Sequence, residues 1–256
     1  MCELFGSCSD HQLVLNDYLK EFYSHSSSHP NGWGLALLDG DEAHIEKEPL
    51  QADKSRYLRE RLSVPVQGRM ALAHIRYATI GNVEFRNCHP FTGKDCSGRR
   101  WTLIHNGTIF EYEPLNGMAA MQAGDTDSER ILLYFLEQMN REIRSKGVPG
   151  AARRFRLLDE IICQMASGNK LNLIFSDGEY VYVHTNYANS LYQLPGKGQA
   201  VFSTQPLGKN GWEPLPMTTL LAYKDGRLAF AGTNHGESYI DSEENMKYIY
   251  QIFSGL

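Results

Sequence analysis

The sequence has no apolar run approaching the ~20 residues that a membrane-spanning helix needs. It has no basic segment leading into an apolar one at its start, so no secretory leader is expected. Positive charge is not in excess: 25 Lys and Arg stand against 30 Asp and Glu, for a formal net charge of -5. No basic stripe runs along the chain, which argues against a nucleic-acid partner. The densest basic stretch, AARRFR at 151–156, falls inside a helical pattern and reads as a solvated face. Cysteine is scarce and odd in number: Cys2, Cys8, Cys88, Cys96 and Cys163. Such a scattered set without a leader reads as cytoplasmic thiols, not as a disulfide framework. Cys88 and His89, with Cys96 nearby, lack the second ligand pair of a zinc template, so no metal is expected. Repeats and low-complexity stretches are missing, and the Ser-rich SHSSSHP at 24–30 is too short for a linker. The chain is therefore expected to form one domain over 1–256.

Turn signals are plentiful. Asp39-Gly40, Asp177-Gly178 and Asp225-Gly226 each sit between strand-like runs. Asp-Gly suits a type I′ turn, where both central residues need positive φ, so each pair predicts a hairpin. RMALAHIRYA and RWTLIHNGTIF predict further strands. Between them lie two helical patterns. In DTDSERILLYFLEQMNREIRSKG, Ile131, Leu132, Phe135, Leu136, Met139 and Ile143 recur at helical spacing. Asp127 or Ser128 can cap that helix and Gly147 can end it. The second runs from about Ala151 to Ser167. Hairpins before and after a helical pair predict a layered α+β domain, and two sheets stacked between helix layers would fit.

Polar residues gather in a few places. The chain opens MCELFG. An initiator Met is usually trimmed before a small residue, which would give Cys2 a free α-amine beside its thiol. A thiol is a nucleophile and an amine is a base. Four more stretches are unusually polar for strand ends: HPNGWG (29–34), AHIRYATIG (73–81), LIHNGTI (103–109) and GDTDSER (124–130). Arg76 ends an apolar run, where its charge is costly unless it meets an anion, and its planar fork suits a carboxylate. Asn106 and Gly107, in a tight turn, offer two donors for an oxyanion hole. Asp127 can accept from an ammonium. Each piece has a plainer reading: an internal ion pair for Arg76, a turn for Asn106-Gly107, an N-cap for Asp127. Together they supply a nucleophile, an anion receptor, a cation receptor and an oxyanion hole, which is a site for an amino acid with a reactive carbonyl.

On these motifs, with FSTQPL at 202–207, the sequence resembles the class II glutamine amidotransferases of the N-terminal-nucleophile hydrolase type, most of all their stand-alone bacterial members. The resemblance covers nearly the whole chain. It implies a four-layer αββα sandwich. It implies Cys2 as nucleophile, with Asn106 and Gly107 holding the oxyanion. It implies Arg76, helped by Thr79, on the substrate α-carboxylate and Asp127 on the α-ammonium. No cofactor is implied. One departure is Asn31, where relatives often carry Asp.

The expected ligand is glutamine or another γ-glutamyl small molecule, with neither nucleic acid nor membrane as partner. Three activities stay open: a glutaminase feeding ammonia to a separate synthase subunit, a hydrolase of γ-glutamyl conjugates in small-thiol metabolism, and a non-catalytic glutamine-binding module. Specificity for the leaving amine is expected from the polar loop at 82–100, with Arg86, Arg99 and Arg100, and from the C-terminal stretch 232–253.

Overall fold

The computed structural model describes residues 2–40, 43–208, 210–245, 247 and 248. In chain order they form β1 (Glu3–Val14), α1 (Asn16–Ser24), β2 (Trp33–Leu37), β3 (His44–Glu48), α2 (Arg56–Arg61), β4 (Gln67–Ile75), β5 (Phe91–Lys94) and β6 (Arg100–Thr108). There follow α3 (Asp127–Lys146), α4 (Ala151–Met165), β7 (Lys170–Ser176), β8 (Val181–His184), β9 (Tyr192–Gly196), β10 (Gln199–Ser203), β11 (Glu213–Pro214), β12 (Leu221–Lys224) and β13 (Arg227–Ala231).

The strands make two antiparallel sheets, ordered β11-β9-β10-β1-β4-β2-β3 and β13-β12-β8-β7-β6-β5. Three apolar cores separate four layers. Leu19 and Phe22 of α1 and Leu58 of α2 cover the first sheet through Phe5, Leu35, Ala73 and Val201. Phe135 of α3 and Leu158 of α4 cover the second through Leu103, Leu173 and Tyr182. Between the sheets lie Leu4, Cys8, Leu72, Ile104, Ile174, Val183 and Phe202. This is the αββα sandwich. Among the described residues, no helix is long and apolar enough to cross a membrane.

The strand at 3–14 carries no alternation because its first seven residues are buried on both faces, as a central strand between two cores must be. The hairpin signals had mixed outcomes. Asp225 and Gly226 both have positive φ, 51° and 72°, and close β12 onto β13 in a two-residue turn. Asp177 instead spends its carboxylate on Arg154, Tyr182 and the amides of Glu179 and Tyr180, so the β7–β8 link is longer. Asp39 likewise accepts from the amides of Arg69 and Met70, and residues 41 and 42 of its link lie outside the described set.

The α3 boundary moves by one residue. Thr126 is the N-cap and its side chain accepts from the Glu129 amide. Asp127 and Ser128 are therefore free to face the site. Gly147, with φ 77°, ends the helix as expected. The segment 82–100 is not one loop: it contains β5, whose Phe91 enters the helix-side core, and a hairpin onto β6.

Strand alternation then builds the site. Leu4 and Cys8 of β1 face the space between the sheets, so Cys2 falls on the same face. On β4, Leu72 faces this space, and His74 follows it. On β6 and β7, Ile104 and Ile174 do so, followed by Asn106 and Asn172. The slot between the sheets is thus apolar at its centre and polar at one end.

Candidate active site

Cys2 stands just before β1, half-buried, with Sγ 3.3 Å from both the amide nitrogen and the carbonyl oxygen of Tyr77. The start of the chain is clamped behind it. The Leu4 amide donates to Thr204 Oγ1 at 2.7 Å, and the Thr204 amide returns a bond to the Leu4 carbonyl. The buried Glu3 carboxylate meets His25 Nδ1 at 2.8 Å and Gln205 Nε2 at 3.0 Å. The FSTQPL motif therefore fixes the backbone that carries Cys2. Sequence reasoning quoted FSTQPL without giving Thr204 or Gln205 a role and did not single out Glu3 or His25, since only long-range pairing reveals these bonds. Burial pushes the Cys2 thiol above its ordinary 9.0, the Tyr77 contact and Arg76 pull it back, and Asp127 pushes it up. Cys2 is a thiol at neutral pH and needs a base to become the nucleophilic thiolate. The charges of Arg76 and Asp127 both reach it.

Arg76 is buried, and its guanidinium is not bare. Its terminal nitrogens donate to the carbonyls of Ile80 (2.9 Å), Gly81 (2.9 Å) and Asn82 (2.8 Å). It thereby folds 77–82 into the turn that offers the Tyr77 amide to Cys2 and carries the half-buried Thr79. Among the described residues its partners are these carbonyls and no Glu pairs with it, unlike the plainer reading of an internal ion pair. Asn31 supports the same turn without a charge: its Oδ1 accepts from the Ala78 amide at 3.0 Å, and its amide donates to the Arg76 carbonyl.

Asn106 and Gly107 do not form a turn. Both lie within β6, opposite Asn172 and Leu171 of β7. A Cβ on Gly107 would come within 1.9 Å of the Lys170 carbonyl oxygen and 2.6 Å of His105 Nε2, so only glycine fits there. Asp127 opens α3 without capping it. Its Oδ2 accepts from the Ile109 amide at 2.9 Å and its Oδ1 from Ser128 Oγ at 3.2 Å, which in turn lies 3.0 Å from His105 Nδ1. Asp127 is thus tied to the end of β6, two residues past Gly107.

Behind these residues lies a buried histidine group. His74 and His89 stack at 3.9 Å, and His74 Nε2 lies 3.3 Å from the His105 carbonyl, linking the two sheets. Burial, reinforced by Arg76, holds His74 well below 6.5, and burial holds His89 and His105 down as well. His184 is lowered to about 3 by burial and by His235. Below pH 6.5 the unfolded chain binds more protons than the native one. Their contribution to stability is therefore complete above about pH 6.5 and is lost as pH falls toward the folded values, by up to about 1.4 kcal/mol per pH unit for each histidine. Chemical denaturation at pH 7.5 and pH 5.0 is expected to show a clearly lower midpoint at pH 5.0, and equal midpoints would contradict this.

The arginines of 82–100 do not converge on the site. Arg86 pairs with Glu84 at 2.6 Å, and Arg99 pairs with Asp177 (3.5 Å) and Glu179 (3.4 Å). Arg100 starts β6, about 20 Å of strand before Asn106. The C-terminal stretch fares better. Tyr239 stacks on Phe110 at 6.0 Å, and its amide donates to the Asn186 carbonyl at 2.7 Å, near the end of β6. The rest of that stretch, 246 and 249–253, lies outside the described residues. Among the described residues, no three His, Cys, Asp or Glu side chains are grouped to hold a metal.

Known proteins resemble this chain in sequence and in fold. The family model of the class-II glutamine amidotransferases matches residues 1–196. YafJ of Escherichia coli K12, which carries the name of a glutamine amidotransferase, is 30% identical over 73% of this chain and 74% of its own. A structure from Pseudomonas aeruginosa PA01, described as a predicted glutamine amidotransferase, superimposes with a TM-score of 0.59 at 20% identity, over 89% of this chain and 99% of that one. The glutamine phosphoribosylpyrophosphate amidotransferase of Bacillus subtilis gives a TM-score of 0.64 at 17% identity, over 89% of this chain and 48% of that one. At these identities the two structures speak for the fold.

Proposed function

Because the chain belongs to the class-II glutamine amidotransferases, we propose that it hydrolyses the side-chain amide of glutamine, or of a related γ-glutamyl compound, through a thioester on Cys2. The reading rests on one observation above all: the Cys2 thiol is held at the polar end of the slot by the Tyr77 backbone, at the start of the turn that the Arg76 guanidinium folds. Once Met1 is removed, the α-amine of Cys2, with a pKa of about 7.7–8.0, takes the thiol proton. The thiolate attacks the γ-carbonyl carbon, and the carbonyl oxygen becomes an oxyanion held by Asn106 and Gly107. The C–N bond breaks, the ammonium returns its proton to the leaving nitrogen, and water hydrolyses the thioester to glutamate and free thiol. Arg76 and the Thr79 turn receive the α-carboxylate. Asp127 takes the α-ammonium. No step calls on a cofactor, a nucleic acid or a membrane, and a cytoplasmic setting suits the free thiols.

A second observation favours a γ-glutamyl conjugate over glutamine. Beyond the oxyanion strand stands an aromatic wall: Phe110 against Tyr239, and Tyr187 with Lys170 Nζ 3.3 Å over its ring. Ammonia needs no such wall, and an amine with a large apolar body does. The alternative is delivery of ammonia to a separate synthase subunit. Glutamate release from glutamine and from a panel of γ-glutamyl amides decides between them. We expect γ-glutamyl amides of bulky amines to be cleaved faster than glutamine. Fast, unassisted hydrolysis of glutamine would instead mark a plain glutaminase.

A further inference from the structure

Asn172 carries a role that neither the motifs nor the family match assigns. It lies in β7, directly opposite Asn106. Its neighbours Leu171 and Leu173 face the helix-side core, while Ile174 faces the core between the sheets. Asn172 therefore points into the same slot as Asn106. Gly6 of β1 packs over Ile174, since a Cβ there would meet Ile174 Cγ2 at 3.0 Å. Counting outward from that contact, Leu4 and Cys2 follow on β1 and Asn172 follows on β7. In the other direction along β1, Cys8 meets the β12–β13 turn, where the Gly226 amide lies 3.4 Å from Cys8 Sγ, and the far end of β7 lies on that side too, since Ser176 pairs with Val181 and Val181 with Tyr223 of β12. Cys2 and Asn172 thus share one end of the slot.

The chemistry of the Asn172 amide is one-sided. Its Oδ1 accepts from Thr185 Oγ1 at 2.7 Å. Its Nδ2 is buried with no hydrogen-bond partner among the described residues, in a residue that is 0% exposed. Buried amide donors are almost always matched, and an exception needs a ligand or another reason. Here the acceptor side is already used, so what remains is a donor that Thr185 turns toward the slot. The scissile amide offers one acceptor atom, its carbonyl oxygen. Cross-strand partners stand about 4.5–5.5 Å apart at Cα, so the Asn106 and Asn172 amides can converge on a single oxygen.

Building on the function proposed above, we propose that Asn172 is a further catalytic residue, whose side-chain amide donates beside Asn106 to the γ-carbonyl oxygen as it becomes the oxyanion. Thr185 is its positioning residue. Since the bond strengthens as negative charge develops, its loss acts on turnover more than on ground-state binding.

The test compares wild type, Asn172→Ala, Asn172→Asp and Thr185→Val on the γ-glutamyl substrate that wild type cleaves best. For both Asn172 variants kcat should fall about 10²- to 10³-fold, as for loss of one oxyanion donor, with KM nearly unchanged. Thr185→Val should lose part of kcat while remaining folded. An aldehyde analogue, glutamate γ-semialdehyde, adds to Cys2 as a tetrahedral adduct. Its inhibition constant should rise by the same factor as kcat/KM falls. Wild-type kcat in folded Asn172→Ala, or a loss confined to KM with the aldehyde constant unmoved, overturns the inference alone. If the Asn172 variants fail to fold, full kcat in folded Thr185→Val overturns it. Wild-type protein that hydrolyses no γ-glutamyl amide overturns the parent reading and this inference with it.

Discussion

Cys2→Ala is expected to abolish glutamate release, by at least about 10⁴-fold, since removal of a covalent nucleophile leaves only binding and the oxyanion donors. The fold should not notice. Cys2 precedes β1 and, among the described residues, its thiol bonds only to the Tyr77 backbone. The clamp on this end of the chain is Glu3 and Leu4, through His25, Gln205 and Thr204. Thermal melting of Cys2→Ala should therefore match wild type. The other thiols are poor substitutes. Cys8 is buried in the core between the sheets, and burial pushes it above 9.0. Cys88 is pushed up to about 11 by burial. Substantial turnover in Cys2→Ala would remove the basis for the proposed chemistry.

Asp127→Asn is expected to lower kcat/KM by roughly 30- to 3,000-fold, the equivalent of about 2–5 kcal/mol for a truncated charge contact in a buried site. The change is nearly isosteric. An asparagine oxygen can still accept from the Ile109 amide, so the tie between β6 and α3 survives and the melting temperature holds. The loss should lie mainly in KM, because the α-ammonium is charged in the ground state. Arg76→Lys makes a useful contrast. One ammonium cannot serve the carbonyls of Ile80, Gly81 and Asn82 together, so the turn beneath Tyr77 loosens. That variant should lose kcat, KM and thermal stability together. Wild-type kcat/KM in Asp127→Asn would reduce Asp127 to a structural link.

The legible parts of this chain were those written in local pattern. The α3 periodicity, its end at Gly147 and the Asp225-Gly226 turn can be read from neighbours alone. The constellation of Cys2, Arg76, Asn106, Gly107 and Asp127 was legible as residue types at strand ends. Its geometry was not. Asn106-Gly107 reads as a turn in isolation, and it becomes a strand only because β7 pairs with it. Arg76 reads as an anion receptor from its residue type alone, and its bonds to three backbone carbonyls, which order the 77–82 turn, are not written in local pattern. α1 escaped notice because Asn16–Ser24 is short and sits against a strand whose buried faces erase alternation. β5 hid inside a polar segment. Glu3 and Asn172 owe their roles to register and to sheet stacking, which no local pattern records.

In the proposed chemistry Cys2, freed of Met1, is the covalent nucleophile of a γ-glutamyl site. Its most direct test is peptide mass spectrometry of active protein treated with the electrophilic glutamine analogue 6-diazo-5-oxo-norleucine. One adduct is expected, on a peptide that begins with Cys2 and carries a free α-amine, with protection of that site by substrate. An adduct on Cys8, or full activity with Met1 still attached, would contradict it.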